Sequence, residues 1–243
     1  MENLDNAERL EFFKNFELYQ AVVRHDYMYH RRIIENVKKE LLAYSYPSIL
    51  ELGCGDAYVV SQSINAIVNT DNITDRLGWQ CDYSGIDQSE HALALASDAI
   101  SPLACEVTFY QEDMLQSLAQ MEVEYDVIIA GYCIHHLDSE QKQSIFKLIR
   151  QRLSNQGVFV FYDIERLPDE SVIDYNQRAC QFYQSKWVRL SNDKISRITD
   201  HVLESDIPET EDRYRTLFEK SEFNYVTKVF SDSGSLYSFY LAR

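Results

Sequence analysis

The stretch Ile49-Leu-Glu-Leu-Gly-Cys-Gly55, continued by Asp56-Ala57, constrains this chain more than any other. Three apolar residues stand around a single acid, and a Gly-x-Gly follows at once. Such a run reads as a short buried strand ending in a turn where backbone comes close to something. In an open α/β sheet, ligands bind at the carboxyl end of such a strand.

Elements can be placed on either side of it. Residues 4–45 lack Gly and Pro, and Val23, Tyr27, His30, Ile34, Val37 and Leu41 recur at helical spacing. This predicts two helices, divided near Asn15 or Arg24–Asp26 and ending before Tyr46-Pro47, where the residue preceding Pro avoids the helical region. Strand one covers about 48–52, a helix about 57–69, and 70–82 is a polar loop or short insertion. Cys81–Asp87 is strand two, and Ser89 can cap a helix over about 90–97. Val107–Tyr110 is strand three and Tyr125–Ala130 strand four. Ser139–Leu153 is an amphipathic helix, closed by a C-terminal turn at Asn155-Gln156-Gly157. Val158–Tyr162 is a further apolar strand. Strict alternation of continuous apolar strands with helices implies a parallel sheet covered on both faces.

After Asp163 the rhythm changes. Residues 169–205 are helical in pattern and dense in aromatics (Tyr175, Phe182, Tyr183, Trp187). A helix over Glu209–Ser221 follows. Asn224–Phe230 and Leu236–Leu241 flank a Ser/Asp/Gly turn and predict a terminal antiparallel pair.

Composition narrows the partners. The net charge of −16 argues against phosphate-driven binding of nucleic acid and against an anionic membrane surface. No apolar run approaches the ~20 residues of a membrane helix. The acidic start, Met1–Asp5, lacks an apolar signal core, so a cytoplasmic protein is expected. The five cysteines are odd in number and contain no C-x-x-C. The expectation is mostly buried free thiols, with neither a disulfide framework nor a metal site.

Strand ends carry the chemistry. They bring Glu51, Gly53 and Gly55, then Asp87, then Asp113, then Ala130-Gly-Tyr132, side by side along one edge of a doubly wound sheet. A dinucleotide fingerprint would need a third Gly where Tyr58 stands, and the Gly-Lys-Ser/Thr of a phosphate-cradling loop is missing. What remains is a ligand with an adenosine-like part and no pyrophosphate.

In these residues the sequence resembles the class I S-adenosylmethionine-dependent methyltransferases of the small-molecule type. Ile49–Gly55, Gly85-Ile-Asp87, Glu112-Asp-Met114, Tyr125–Ala130, Ile134-His-His-Leu137 and Leu153–Gly157 carry the likeness, over about 46–165 strongly and the terminal strands loosely. It implies a Rossmann-like, seven-stranded sheet, mostly parallel with a C-terminal antiparallel hairpin, plus N-terminal helices and a helical insertion. The segments would be an N-terminal lid (1–45), a cofactor-binding core (46–165), a substrate-side insertion (166–205) and the last helix and strands (206–243).

The resemblance also implies roles. The Gly53-Cys54-Gly55 backbone would approach the methionine part of S-adenosylmethionine, with Glu51 supporting the loop and the ammonium. Asp87, with Gln88 beside it, would accept the ribose hydroxyls. Asp113 and Met114 would meet the adenine, and the Ala130 carbonyl the amino group and sulfonium. Arg31 could reach the cofactor carboxylate or be solvated. His135 and Tyr132 are the candidates for a base or substrate contact, and His135 could equally be a packing residue.

Two departures stand out. Ala57 occupies a position where the family often has Gly, which would change the loop slightly. The interval from Gly55 to Asp87 is long. No Asn/Asp-Pro-Pro-Tyr/Phe follows strand four, which disfavours base amino groups and glutamine amides as acceptors. The implied activity is methyl transfer to a small molecule by a monomer or homodimer, leaving S-adenosylhomocysteine. A catalytically silent cofactor-binding regulator, a protein or RNA methyltransferase, and an enzyme using the decarboxylated cofactor are the alternatives.

Overall fold

The structure, a computed structural model, describes residues 16–70, 78–103 and 105–243. The expected helix over residues 4–15 and most of the expected insertion at 70–82 lie outside the described residues. Residues 16–24 form α1, and α2 (His30–Leu41) follows after a turn. Then come β1 (Ser48–Leu52), α3 (Tyr58–Val68), β2 (Cys81–Asp87), α4 (Glu90–Ile100), β3 (Cys105–Gln111), α5 (Met114–Gln120), β4 (Tyr125–Gly131) and a 3-10 turn at Ile134–His136. The chain continues as α6 (Ser139–Arg152), β5 (Leu153–Arg166), α7 (Val172–Lys186), α8 (Asn192–Ser205), β6 (Glu209–Thr210), α9 (Glu211–Lys220), β7 (Val226–Ser231) and β8 (Tyr237–Ala242).

The sheet order is β3-β2-β1-β4-β5-β8-β7, and the two-residue β6 pairs with the end of β5, making eight strands. β1 through β5 run parallel, whereas β8 is antiparallel to both β5 and β7. β1 lies between β2 and β4, so Glu51 is level with Gly85 on one side and Ile129 on the other. Strand order reverses there, and the loop leaving β1 opens into the crevice at the strand ends.

Period-two alternation divides each central strand between two layers. Ile49, Val127, Ile129, Val158 and Val160 pack with α2, α3 and α4. Leu50, Ile128, Ala130, Phe159 and Phe161 pack with α6 and α9 through Phe146, Tyr214 and Phe218. A third cluster joins Val22 of α1 to Tyr175, Tyr183 and Trp187 of the α7 region and to Tyr237. Among the described residues no helix is long and apolar enough to cross a membrane.

Two expectations need correction. Asn155-Gln156-Gly157 is not a helix-closing turn, because Leu153 already has extended backbone and β5 begins there. A register shift between Tyr125 and Val127 absorbs these residues into β5. Cys81 and Cys105 are not free thiols. They are register partners on adjacent strands, with Cα atoms 4.6 Å apart, and form a disulfide. Strand register, invisible in cysteine spacing, makes that pair, while Cys54, Cys133 and Cys180 are free. Ala57, where a slight change in loop shape was expected, takes φ 52°, the left-handed conformation that glycine adopts most readily.

Candidate functional site

The loop after β1 is held in its unusual form from both sides. Gly53 and Gly55 have φ of 60° and 54°, which admits backbone closely to the crevice. Cys54 donates its N–H to the Ile86 carbonyl at 2.9 Å, and Gly55 donates to Asp87 Oδ2 at 2.9 Å. Asp87 Oδ1 accepts from Ser89 N–H at 2.9 Å. A carboxylate offers about four acceptor positions, so Asp87 retains two for a ligand. Gln88 Nε2 donates to Asp113 Oδ2 at 3.3 Å, and Asp113 Oδ1 caps α5 through the N–H groups of Leu115 and Gln116. The ends of β1, β2 and β3 are thus joined in one row.

Glu51 is 5% exposed and accepts from Tyr83 Oη at 2.7 Å. Burial pushes its carboxyl up to about 8, against the Tyr83 hydrogen bond and with help from Asp56 and Asp87. It lines a cavity of about 360 Å³ together with Gly53, Cys54, Gly55 and Tyr132. His30, not expected to belong here, also lines it. His30 is 2% exposed, and its Nδ1 has no hydrogen-bond partner among the described residues. Burial lowers it to about 4, against a raising influence from Asp26, so the imidazole is neutral.

Asp87, Gln88, Asp113 and Met114 do not line this cavity, though Asp87 bonds the Gly55 backbone that does, and Ala130 is fully buried near the end of β4. Arg31 is exposed and outside the lining, its backbone N–H donated to Asp26 Oδ1.

A second cavity, of about 380 Å³, opens toward α1 and α8. Tyr19, Met28 and Tyr132 line both cavities, so the two meet at Tyr132. Tyr132 has φ 52° and donates its hydroxyl to the Met28 carbonyl at 2.7 Å. A bulky residue in that conformation is a strained one, of the kind that clusters at functional sites. Burial, then Asp163, pushes its phenol well above the ordinary range.

His135 faces the second cavity. Its Nδ1 lies 2.5 Å from Asp163 Oδ1, its backbone N–H donates to Asp163 Oδ2 at 3.0 Å, and its Nε2 lies 3.4 Å from Asp206 Oδ1. Burial disfavours the charged ring, but Asp163 and then Asp206 outweigh it and push His135 up to about 10. It therefore carries a proton near neutral pH, as Tyr132 does, and neither is poised to accept one. Asp163 lies inside β5, directly after the apolar run Val158–Tyr162, where no strand end marked it as a site residue. Asp206 and His201, beyond the sheet, carried no signal either.

A family model described as "Methyltransferase domain" matches residues 45–222. No curated protein matches the sequence. Among solved structures, an S-adenosylmethionine-dependent methyltransferase from Clostridium acetobutylicum is similar at 12% identity and TM-score 0.60, over 96% of this chain and 98% of that one. A complex of DhpI with SAH is similar at 12% identity and TM-score 0.58, over 91% and 86%. An O-methyltransferase family protein from Burkholderia thailandensis is similar at 11% identity and TM-score 0.60, over 92% of this chain and 57% of that one.

Proposed function

The chain belongs to the methyltransferase-domain family, and we propose that it methylates a small molecule from S-adenosylmethionine, with the acceptor in the second cavity. The observation that carries this reading is the meeting of the two cavities at Tyr132. A group bound against the Gly53–Gly55 loop and a group bound beside His135 would face each other there.

The residues present suit the cofactor. The loop backbone is open at Gly53 and Gly55, Glu51 presents a buried carboxyl, and Asp87 keeps acceptor capacity. Glu51 and Gly53-Cys54-Gly55 would hold the methionyl end, Ala130 its amino side, Asp87 and Gln88 the ribose, and Asp113 and Met114 the adenine. Arg31 could serve the carboxylate only from an exposed position. S-adenosylmethionine supplies a methyl group already activated on a sulfonium, so the protein's main task is positioning. Tyr132 separates the two halves of the site. His135, fixed by Asp163, would orient the acceptor as a hydrogen-bond donor rather than take its proton. The ring edges of Tyr132 and Tyr162, 5.2 Å apart between centroids, wall the junction.

The second cavity is lined largely by apolar and aromatic side chains such as Val22, Ile164 and Trp187. That lining favours a compact acceptor with an apolar body over a nucleic acid, and the net charge of −16 points the same way. Incubation with S-adenosylmethionine and a panel of small phenols, acids and amines tests the reading, with S-adenosylhomocysteine measured by mass spectrometry. Release above background is expected with a small acceptor. Release with RNA or protein substrates alone contradicts it.

A further inference from the structure

His135 and His136 on the turn after β4, His201 on α8 and Asp206 just beyond α8 converge at the rim of the second cavity. Asp206 Oδ1 is their common centre, 3.4 Å from His135 Nε2, 3.8 Å from His136 Nδ1 and 3.8 Å from His201 Nε2. It is buried and accepts no hydrogen bond from any described residue. The charged ring of His135 offsets this carboxylate by ion pairing at 3.4 Å, but no imidazole nitrogen makes a hydrogen bond to Oδ1, so its acceptor capacity is unused.

We propose that these residues bind a divalent first-row transition ion, with His135, His136 and Asp206 as its three ligands and His201 beside them. Metal–nitrogen and metal–oxygen bonds of about 2.0–2.1 Å set ligand atoms of a tetrahedral site roughly 3.3 Å apart. The distances to Asp206 Oδ1 are within a small contraction of that. An N/O ligand set of imidazoles and one carboxylate suits zinc.

The surroundings fit as well. Asp163 holds His135 Nδ1 at 2.5 Å, which directs Nε2 toward the site, the carboxylate–histidine–metal arrangement of many metal centres. The ion would displace the proton from Nε2, as ligation of any imidazole requires, so with the ion bound the acceptor contact passes from His135 to the ion. His136 Nδ1 would give up a long contact of 3.4 Å with the Ser205 carbonyl. The side chains of His136 and His201 are 39% and 60% exposed, which leaves a route in from solvent. Among the described residues no other group of three His, Cys, Asp or Glu side chains is arranged to hold an ion.

The site lies on the acceptor side of Tyr132. If the acceptor reading above holds, the ion's remaining coordination position would take an acceptor oxygen, phenolic, enolic or carboxylate. That refinement rests on the proposed function, and the ion site itself does not.

Calorimetric titration of the untagged, chelator-stripped full chain with Zn²⁺ alone tests the site. One ion per chain is expected, at micromolar or tighter affinity. His136→Ala and Asp206→Asn should each weaken it at least tenfold, with S-adenosylhomocysteine affinity unchanged in the same samples. The His136 side chain is partly exposed, so its variant also covers the case in which Asp206→Asn fails to fold. No stoichiometric binding, or equal affinity in parent and His136→Ala, overturns the proposal. Zinc binding without S-adenosylhomocysteine binding would count against the cofactor reading and leave the ion site standing.

Discussion

Asp87 Oδ2 accepts the backbone N–H of Gly55 at 2.9 Å, tying the end of β2 to the loop that leaves β1. The acid proposed to hold the ribose therefore also shapes the loop proposed to hold the methionyl group. One carboxylate couples both halves of the cofactor site, so its loss should be felt across the whole ligand.

Glu51 gives a pH signature. Its carboxyl rises from an ordinary 4.5 to about 8 on folding, chiefly through burial. Between those values the folded state holds a proton that the unfolded chain has released. The associated stability is full below about 4.5 and is lost as pH rises through about 8. The melting temperature of the ligand-free protein should fall over that range, and Glu51→Gln should remove much of the fall. Parallel profiles in the two proteins would argue against a buried, protonated Glu51.

The Cys81–Cys105 bond should be visible chemically. Thiol titration of the denatured, unreduced protein should find the three free cysteines Cys54, Cys133 and Cys180. Closing a loop with a sequence separation of 24 contributes about 3 kcal/mol in the chain-entropy account. Cys105→Ser should then lower the melting temperature by about 6–12 °C. Five reactive thiols before reduction would contradict the bond.

Gly131 lies against the ring of Tyr162, where an added Cβ would come within 2.0–2.2 Å of its atoms. Gly131→Ala must displace that ring, which lines the first cavity. A stability loss of about 1–3 kcal/mol is expected from overpacking, with S-adenosylhomocysteine affinity reduced at least tenfold. Unchanged affinity in the folded variant would remove Tyr162 from the cofactor wall.

Ala57 holds a left-handed conformation that costs an L-residue about 1–2 kcal/mol. A glycine at this position would relieve it, at an unfolded-state entropy cost of about 0.5–1 kcal/mol. Ala57→Gly should leave the melting temperature unchanged or raise it by about 1–4 °C. A clear fall would show that the Ala57 conformation is not strained.

The core of the sheet was legible because its signals are local. Ile49-Leu-Glu-Leu-Gly and Tyr125–Ala130 are mostly apolar runs, and β1 and β4 begin and end within a residue of those patterns. What escaped depends on register or on distant packing. The Cys81–Cys105 pair follows from the alignment of β2 with β3, and the absorption of Asn155–Gly157 into β5 from a register shift. His30 enters the first cavity through the placement of α2, and Asp206 meets His135 through the placement of α8. The acids at strand ends could be read in order, but the charge of His135 came only with Asp163, 28 residues away.

The most direct test of the cofactor site is calorimetric titration with S-adenosylhomocysteine of the parent and of Asp87→Ala, each checked for folding by its melting curve. One site per chain is predicted, with affinity at least tenfold weaker in the variant, as expected when charge-assisted hydrogen bonds worth ~1.5–3 kcal/mol are lost. No binding by the folded parent, or equal affinity in the two proteins, would contradict the assignment of the β1–β2 crevice as the S-adenosylmethionine pocket.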